Sequence, residues 1–311
     1  MTRMRTLIGL VAAAGLICMQ CGGAGPTGPT VPPTTPGPDQ PIPDPTPGPT
    51  TIAPTAVFVG AGDIGWCGSP GAALTGRLLD GIGGTVFTAG DNAYMSGTAQ
   101  QYRDCYDPGW GRHKGRTRPT TGNHEYETPG AAPYFDYFGT QAGPPGLGYY
   151  SFTLGNWHAI ALNSNIDVGE GSAQGRWLLF DLASNPSKCT IAYWHHPLFS
   201  SGQNGDNPGL RFFWRILEAA SVDVVVVGHD HLYERFAPQD PDGRFDPAHG
   251  IRQFTAGTGG ANLYNFVTVR ANSEKRISAF GVLKFTLEAD RYDWEFVPVA
   301  GAGDSGSDKC H

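Results

Sequence analysis

From Val222 to His231 the chain reads Val-Asp-Val-Val-Val-Val-Gly-His-Asp-His. The run from Val222 to Val227, which ends in four consecutive valines, predicts a buried strand, because β-branched residues with little polar alternation suit a sheet packed on two sides. The run ends in Gly228-His229-Asp230-His231, and two imidazoles directly after a buried strand need polar partners. A single satisfied structural histidine explains one of them but not both. The same pattern recurs along the chain. Apolar runs at Ala56 to Gly60, Thr85 to Ala89, Trp157 to Leu162 and Thr190 to Trp194 also read as strands, and the polar corners among them are Gly62-Asp63-Ile64-Gly65, Gly90-Asp91-Asn92-Ala93-Tyr94, Gly122-Asn123-His124-Glu125 and His195-His196-Pro197. Helical patterns at Gly71 to Leu79, Ala173 to Leu182 and Leu210 to Ala220 separate several of the strands. Strand and helix in alternation predict an α/β fold, whose strand ends are where ligands bind. Near the C-terminus the pattern changes. Gly281 to Leu287 and Tyr292 to Val297 flank the turn Glu288-Ala289-Asp290-Arg291 as an antiparallel hairpin, so a mixed sheet or two packed sheets are expected.

The corners carry Asp, Asn, Tyr and His and no cysteine. Oxygen and imidazole donors together suit Zn, Mn or Fe, and the missing thiolates argue against a sulfur site. Taken singly, a Gly-Asp after a strand is an ordinary turn or helix cap. Five such corners in one chain are not explained that way, and they point to a hydrolytic metal centre.

The rest of the sequence sets the context. The chain has 311 residues, a formal charge of −7 and only 16% charged residues, with 45 glycines and 26 prolines, a composition for loops and tight turns and not for a nucleic-acid surface. No nucleic-acid partner is expected. Residues 1–21 read as an export signal, with Arg3 and Arg5 before the apolar stretch Leu7 to Met19. Cys21 reads as a lipoprotein attachment site, ordinary cleavage nearby being the alternative, so membrane contact is expected only through an N-terminal lipid anchor. Residues 22–55 hold 12 of the 26 prolines and cannot form a core; they are expected to act as a stalk or linker in extended polyproline form. Residues 56–311 are expected to form one catalytic domain. Cys67, Cys105, Cys189 and Cys310 lie within it, and an even number of cysteines in an exported chain predicts two disulfides.

In their order, these corners resemble the signature of the calcineurin-like metallophosphoesterases, and Gly90 to Tyr94 in the form Gly-Asp-x-x-Tyr resembles the purple acid phosphatase branch. The resemblance runs from Val57 to about Arg235. It implies a sandwich of two mixed β-sheets flanked by helices, with a dinuclear site at the strand ends. It further implies Asp63, Tyr94 and His231 on one metal, Asn123, His195 and His229 on the second, and Asp91 bridging both. His124 is expected to assist the leaving oxygen, as acid or hydrogen-bond donor, and His196 to face the substrate. Tyr94 implies Fe(III) at its site, because a hard phenolate favours a trivalent ion, with Zn, Mn or Fe(II) at the other. Gly65 stands where many relatives have a ligand histidine, so the first metal depends on Tyr94. Asp230 occupies a position often apolar in the purple acid phosphatases. If Asp63 and Asp91 meet at one site, Cys67 and Cys105 are carried together, leaving Cys189 to pair with Cys310.

The reaction expected is hydrolysis of a small-molecule or peptide-borne phosphomonoester outside the cytoplasm, periplasmic, secreted or lipid-anchored, with a metal-bound hydroxide as nucleophile. A phosphodiesterase or nucleotide hydrolase with the same centre is the alternative, and a surface-displayed binding protein with a vestigial site is the reading from another class. Arg112, His113, Lys114, Arg116 and Arg118 read as a solvated loop, with a phosphate subsite as the alternative. The segment Ser200 to Asp206 receives no role.

Overall fold

The computed structural model describes residues 55–311, so the export signal and nearly all of the stalk lie outside the described residues. Thirteen strands form two sheets. The strands are β1 (Ala56–Ala61), β2 (Thr85–Ala89), β3 (Thr117–Thr120), β4 (Tyr150–Leu154), β5 (Trp157–Ala161), β6 (Cys189–Tyr193), β7 (Val224–Val227), β8 (Tyr233–Phe236), β9 (Arg252–Ala256), β10 (Ser273–Ile277), β11 (Gly281–Leu287), β12 (Arg291–Pro298) and β13 (Asp304–Lys309). The first sheet has the order β13-β12-β11-β1-β2-β3 and the second β10-β8-β9-β7-β6-β5-β4. In the first, β1, β2 and β3 run parallel; in the second, β5, β6, β7 and β9 do. Antiparallel strands complete both sheets, which are therefore mixed, as expected.

Alternation along the strands explains the layering. Phe58 of β1 and Val224 and Val226 of β7 face the core between the sheets, with Trp157, Tyr193, Phe254, Phe285 and Phe296. Their neighbours Val59, Val225 and Val227 point outward into two further cores. On the second sheet that outer core is roofed by helices α1 and α2, which span Ala173–Ser184 and Arg211–Ala219 and contribute Leu178, Phe213, Trp214 and Leu217. A strand covered on both faces needs no polar alternation, which is why the valine run reads as it does.

The hairpin of β11 and β12 forms where the sequence predicts it, Leu287 opposite Tyr292. Both disulfides join the expected pairs, Cys67 with Cys105 and Cys189 with Cys310. The second closes a separation of 121 residues, and a bridge of that reach contributes on the order of 2–4 kcal/mol by restricting the unfolded chain.

Candidate metal centre

Parallel neighbours carry their loops to one edge, and that edge is where the polar corners meet. Asp63 follows β1, Asp91 and Tyr94 follow β2, and Asn123 and His124 follow β3; from the other sheet, His195 and His196 follow β6, and His229 and His231 follow β7. Backbone bonds lock these loops together. Asp63 N donates to Gly90 O at 3.0 Å, Gly228 N to His195 O at 2.9 Å, and Gly62 N crosses between sheets to Ala256 O at 2.8 Å. Asp63, Asp91 and His229 all have positive φ, three of the six non-glycine residues that do so among the described residues. Such backbone costs on the order of 1–3 kcal/mol per residue and persists only where neighbours fix it. Here Asp63 Oδ2 accepts the His229 N–H at 2.8 Å, and Asp91 Oδ1 accepts the His124 N–H at 2.9 Å. A Cβ on Gly122 would fall 2.0 Å from Asp91 Oδ1, so this corner requires glycine.

Seven side chains converge in two groups that share one atom. In the first, Tyr94 Oη lies 2.7 Å from Asp63 Oδ1 and 3.1 Å from His231 Nε2. In the second, His195 Nε2 lies 3.0 Å from Asn123 Oδ1 and 3.2 Å from His229 Nδ1. Asp91 Oδ2 touches both, 3.0 Å from Tyr94 Oη and 3.2 Å from His195 Nε2. Two of the imidazoles are oriented by carbonyls that can only accept. His195 Nδ1 faces Ala89 O at 2.8 Å and His231 Nδ1 faces Asn262 O at 2.6 Å, so each Nδ1 carries a proton and each Nε2 turns to the site.

Electrostatics follow from this crowding. Burial alone would raise the carboxyls of Asp63 and Asp91, but His231 beside Asp63, and His195 and His124 beside Asp91, outweigh it and hold both below the usual range. Burial opposes a charge on His195, yet Asp91 prevails and raises it to about 9. Burial, then the charges of Asp63 and Asp91, push the Tyr94 phenol well above its ordinary value. For His229, burial and then His195 lower it to about 4. The donor set is thus carboxylate, amide and phenol oxygens with imidazole nitrogens, all lone-pair donors aimed at a common space. That chemistry fits two cations, as the resemblance drawn from the sequence implies.

His124 stands at the rim, its ring 4.5 Å from that of Tyr94 and its Nε2 3.8 Å from Asp91 Oδ2. Its Nδ1 is held by the Met95 carbonyl, which leaves Nε2 directed at the site. His196 lies 4.5 Å ring to ring from His229, and its Nδ1 meets the Ser164 hydroxyl at 2.8 Å. It belongs to a donor cluster with His195 and His229.

Glu125 has a part that the sequence reading did not give it. Fully buried, it accepts the N–H groups of Asn92 (2.8 Å) and Ala93 (3.2 Å) and the Tyr102 hydroxyl (3.1 Å) on Oε1, and the Gly122 N–H (2.7 Å) on Oε2. One carboxyl therefore ties the loop of Asp91 to the loop of Asn123. Burial, then repulsion by Asp91, raises it to about 7. Its position three residues after Gly122, at the start of the short helix Asn123–Tyr126, is a capping signal that the sequence does display. Tyr264, stacked on His231 at 4.0 Å, gave no such signal. The basic cluster is mostly engaged in structure: Arg112 pairs with Asp80 at 2.5 Å, His113 is buried, and Arg116 donates to the carbonyls of Gly84 and Leu79.

Comparison with known proteins gives a consistent picture. The calcineurin-like phosphoesterase family model matches residues 57–233, more than half of the chain. Purple acid phosphatase 18 of Arabidopsis thaliana is 29% identical over 279 residues, covering 82% of this chain and 57% of its own length. An uncharacterised protein of Mycobacterium tuberculosis is 31% identical over 146 residues, covering 39% of this chain and 28% of its own. Among solved structures, the purple acid phosphatase PPD1 of yellow lupin superposes with a TM-score of 0.72 at 20% identity, over 82% of this chain and 54% of that one, a likeness of fold. The chain spans little more than half the length of the longest-matching of these relatives.

Proposed function

Because the chain belongs to the calcineurin-like phosphoesterase family, we propose that it is an exported phosphomonoesterase working through a dinuclear metal centre. The observation that carries this reading is Asp91 Oδ2 standing between two complete donor groups, 3.0 Å from Tyr94 Oη and 3.2 Å from His195 Nε2. Asp63, Tyr94 and His231 would hold one cation, Asn123, His195 and His229 the other, and Asp91 both. When bound, two cations make a water acidic enough to attack at neutral pH and neutralise the phosphoryl oxygens. Fe(III) is assigned to the Tyr94 side, because a phenol buried beside two carboxylates ionises only against a strongly charged cation, and Zn, Mn or Fe(II) to the other.

The protein's own groups do the remainder. His124, anchored at Nδ1 by a carbonyl that can only accept, presents Nε2 to the leaving oxygen; in its doubly protonated form it donates the Nε2 proton, or a hydrogen bond from it, as charge develops there, and ends as the neutral imidazole. His196 borders the second group and meets the substrate's phosphoryl oxygens. Names of the relatives matched support a phosphatase, and two disulfides together with the basic-apolar N-terminus support a site outside the cytoplasm. The test is turnover of p-nitrophenyl phosphate by metal-reconstituted protein beside that of bis(p-nitrophenyl) phosphate, with a clear preference for the monoester expected.

A further inference from the structure

The residue between the two histidines of the last corner, Asp230, is fully buried, and the hydrogen bonds of its carboxylate go to Ser200 and Asn204 and not to the donor groups described above. Its partners are a hydroxyl and an amide N–H: Oδ2 accepts the Ser200 hydroxyl and Oδ1 the Asn204 N–H at 3.0 Å. Both belong to one segment after β6. The segment is built onto this carboxylate, since a Cβ on Gly202 would stand 2.4 Å from Asp230 Cγ. Further bonds fold it on itself, Gly202 N to Ser200 Oγ at 3.0 Å and Ser200 N to Asp206 Oδ1 at 2.9 Å. Glu234, also fully buried, holds it a second time through the Ser201 N–H at 2.9 Å. At its tip the exposed Asn204 turns back to the site, its Nδ2 donating to the His229 carbonyl at 2.9 Å.

We propose that Asp230 is a positioning residue that fixes the segment Ser200–Asn207 against His229, making that segment a preset wall of the substrate pocket. A buried carboxylate is costly unless its hydrogen bonds fix something, and what these fix is a loop with no apolar core of its own. An apolar side chain at position 230 could make neither bond. Asparagine could make both, accepting from Asn204 and donating to Ser200. The substrate part of this inference rests on the phosphoesterase reading; the loop part does not.

The experiment compares wild type, Asp230→Val, Asp230→Asn and Asn204→Ala in the metal-reconstituted protein, by hydrogen exchange over residues 200–207, metal content, and kcat and KM for p-nitrophenyl phosphate. Asp230→Val should speed exchange of the Asn204 amide by about tenfold or more, as expected when one buried acceptor is lost. It should raise KM several-fold while kcat and both metals are largely kept, and Asp230→Asn should recover most of both changes. Asn204→Ala, at an exposed position and leaving Asp230 bonded to the segment, should raise KM without loosening it. An Asn204 amide still protected in Asp230→Val would overturn the proposal, as would a freed segment with unchanged KM. Loss of metal in Asp230→Val, with Asn204→Ala like wild type, would instead assign Asp230 to support of the histidines. A wild type inactive on every phosphate ester would sink the functional reading, while the exchange data would still decide whether Asp230 holds the segment.

Discussion

The Tyr94 hydroxyl lies 3.0 Å from Oδ2 of Asp91, with Asp63 Oδ1 on its other side at 2.7 Å, so a phenol is enclosed by two carboxylates. Those neighbours oppose its ionisation, and a ferric ion in contact would reverse the balance. Iron-loaded protein should therefore show a visible phenolate-to-iron band that Tyr94→Phe lacks. A band of equal strength in the variant would remove Tyr94 from the coordination sphere. A colourless, active wild type with zinc or manganese alone would remove the iron.

His124 contacts the site from the rim, and its side chain is 24% exposed. His124→Ala should lower kcat on the order of 10²-fold with both metals retained, the loss expected of a missing acid or donor. Metal analysis beside steady-state kinetics checks this. Loss of metal would mark the residue as structural support.

Glu125 uses both oxygens as acceptors, whereas an amide has only one. Glu125→Gln should therefore leave a buried N–H or hydroxyl facing an NH2 group and cost on the order of 1–3 kcal/mol, measured by urea unfolding of the metal-free protein. Metal affinity should fall as well, because the loops of Asp91 and Asn123 are no longer tied. Unchanged stability and affinity would show that the loops hold themselves.

Asp223 gives the protein a pH dependence remote from the metals. It accepts the N–H groups of Thr190 and His311, each at 2.8 Å, yet burial raises its carboxyl to about 6. A carboxyl whose folded pKa exceeds its unfolded value favours folding in its protonated form, so this contribution is present below about pH 4 and is lost as pH rises through about 6. The stability advantage of wild type over Asp223→Ala should thus shrink from pH 4 to pH 7, by on the order of 2–3 kcal/mol. An advantage that grows with pH would mean that the fold holds the ionised form.

Much of this architecture is legible in the sequence because a buried strand and a ligand-bearing corner are both local patterns. Val224–Val227 followed by Gly-His-Asp-His displays the two together. What is not legible is long-range or purely backbone. The edge strands Ser273–Ile277 and Asp304–Lys309 carry polar residues and exist through pairing with Tyr233–Phe236 and Arg291–Pro298, so no apolar periodicity announces them. Tyr264 reaches His231 from 33 positions along the chain, and Asp230 reaches Ser200 from 30, contacts that a linear reading does not contain. Arg112 looks free in sequence because its partner, Asp80, lies 32 residues earlier.

In the proposed centre Asp91 joins two metal ions into one hydrolytic site. Metal content and p-nitrophenyl phosphate turnover of wild type and Asp91→Ala, measured on the same reconstituted preparations, test it most directly. About two metals per active wild-type chain are expected, with loss of both metals and of turnover in Asp91→Ala, since one carboxylate would serve both cations. An Asp91→Ala protein that keeps two metals and hydrolyses the monoester at the wild-type rate would contradict it.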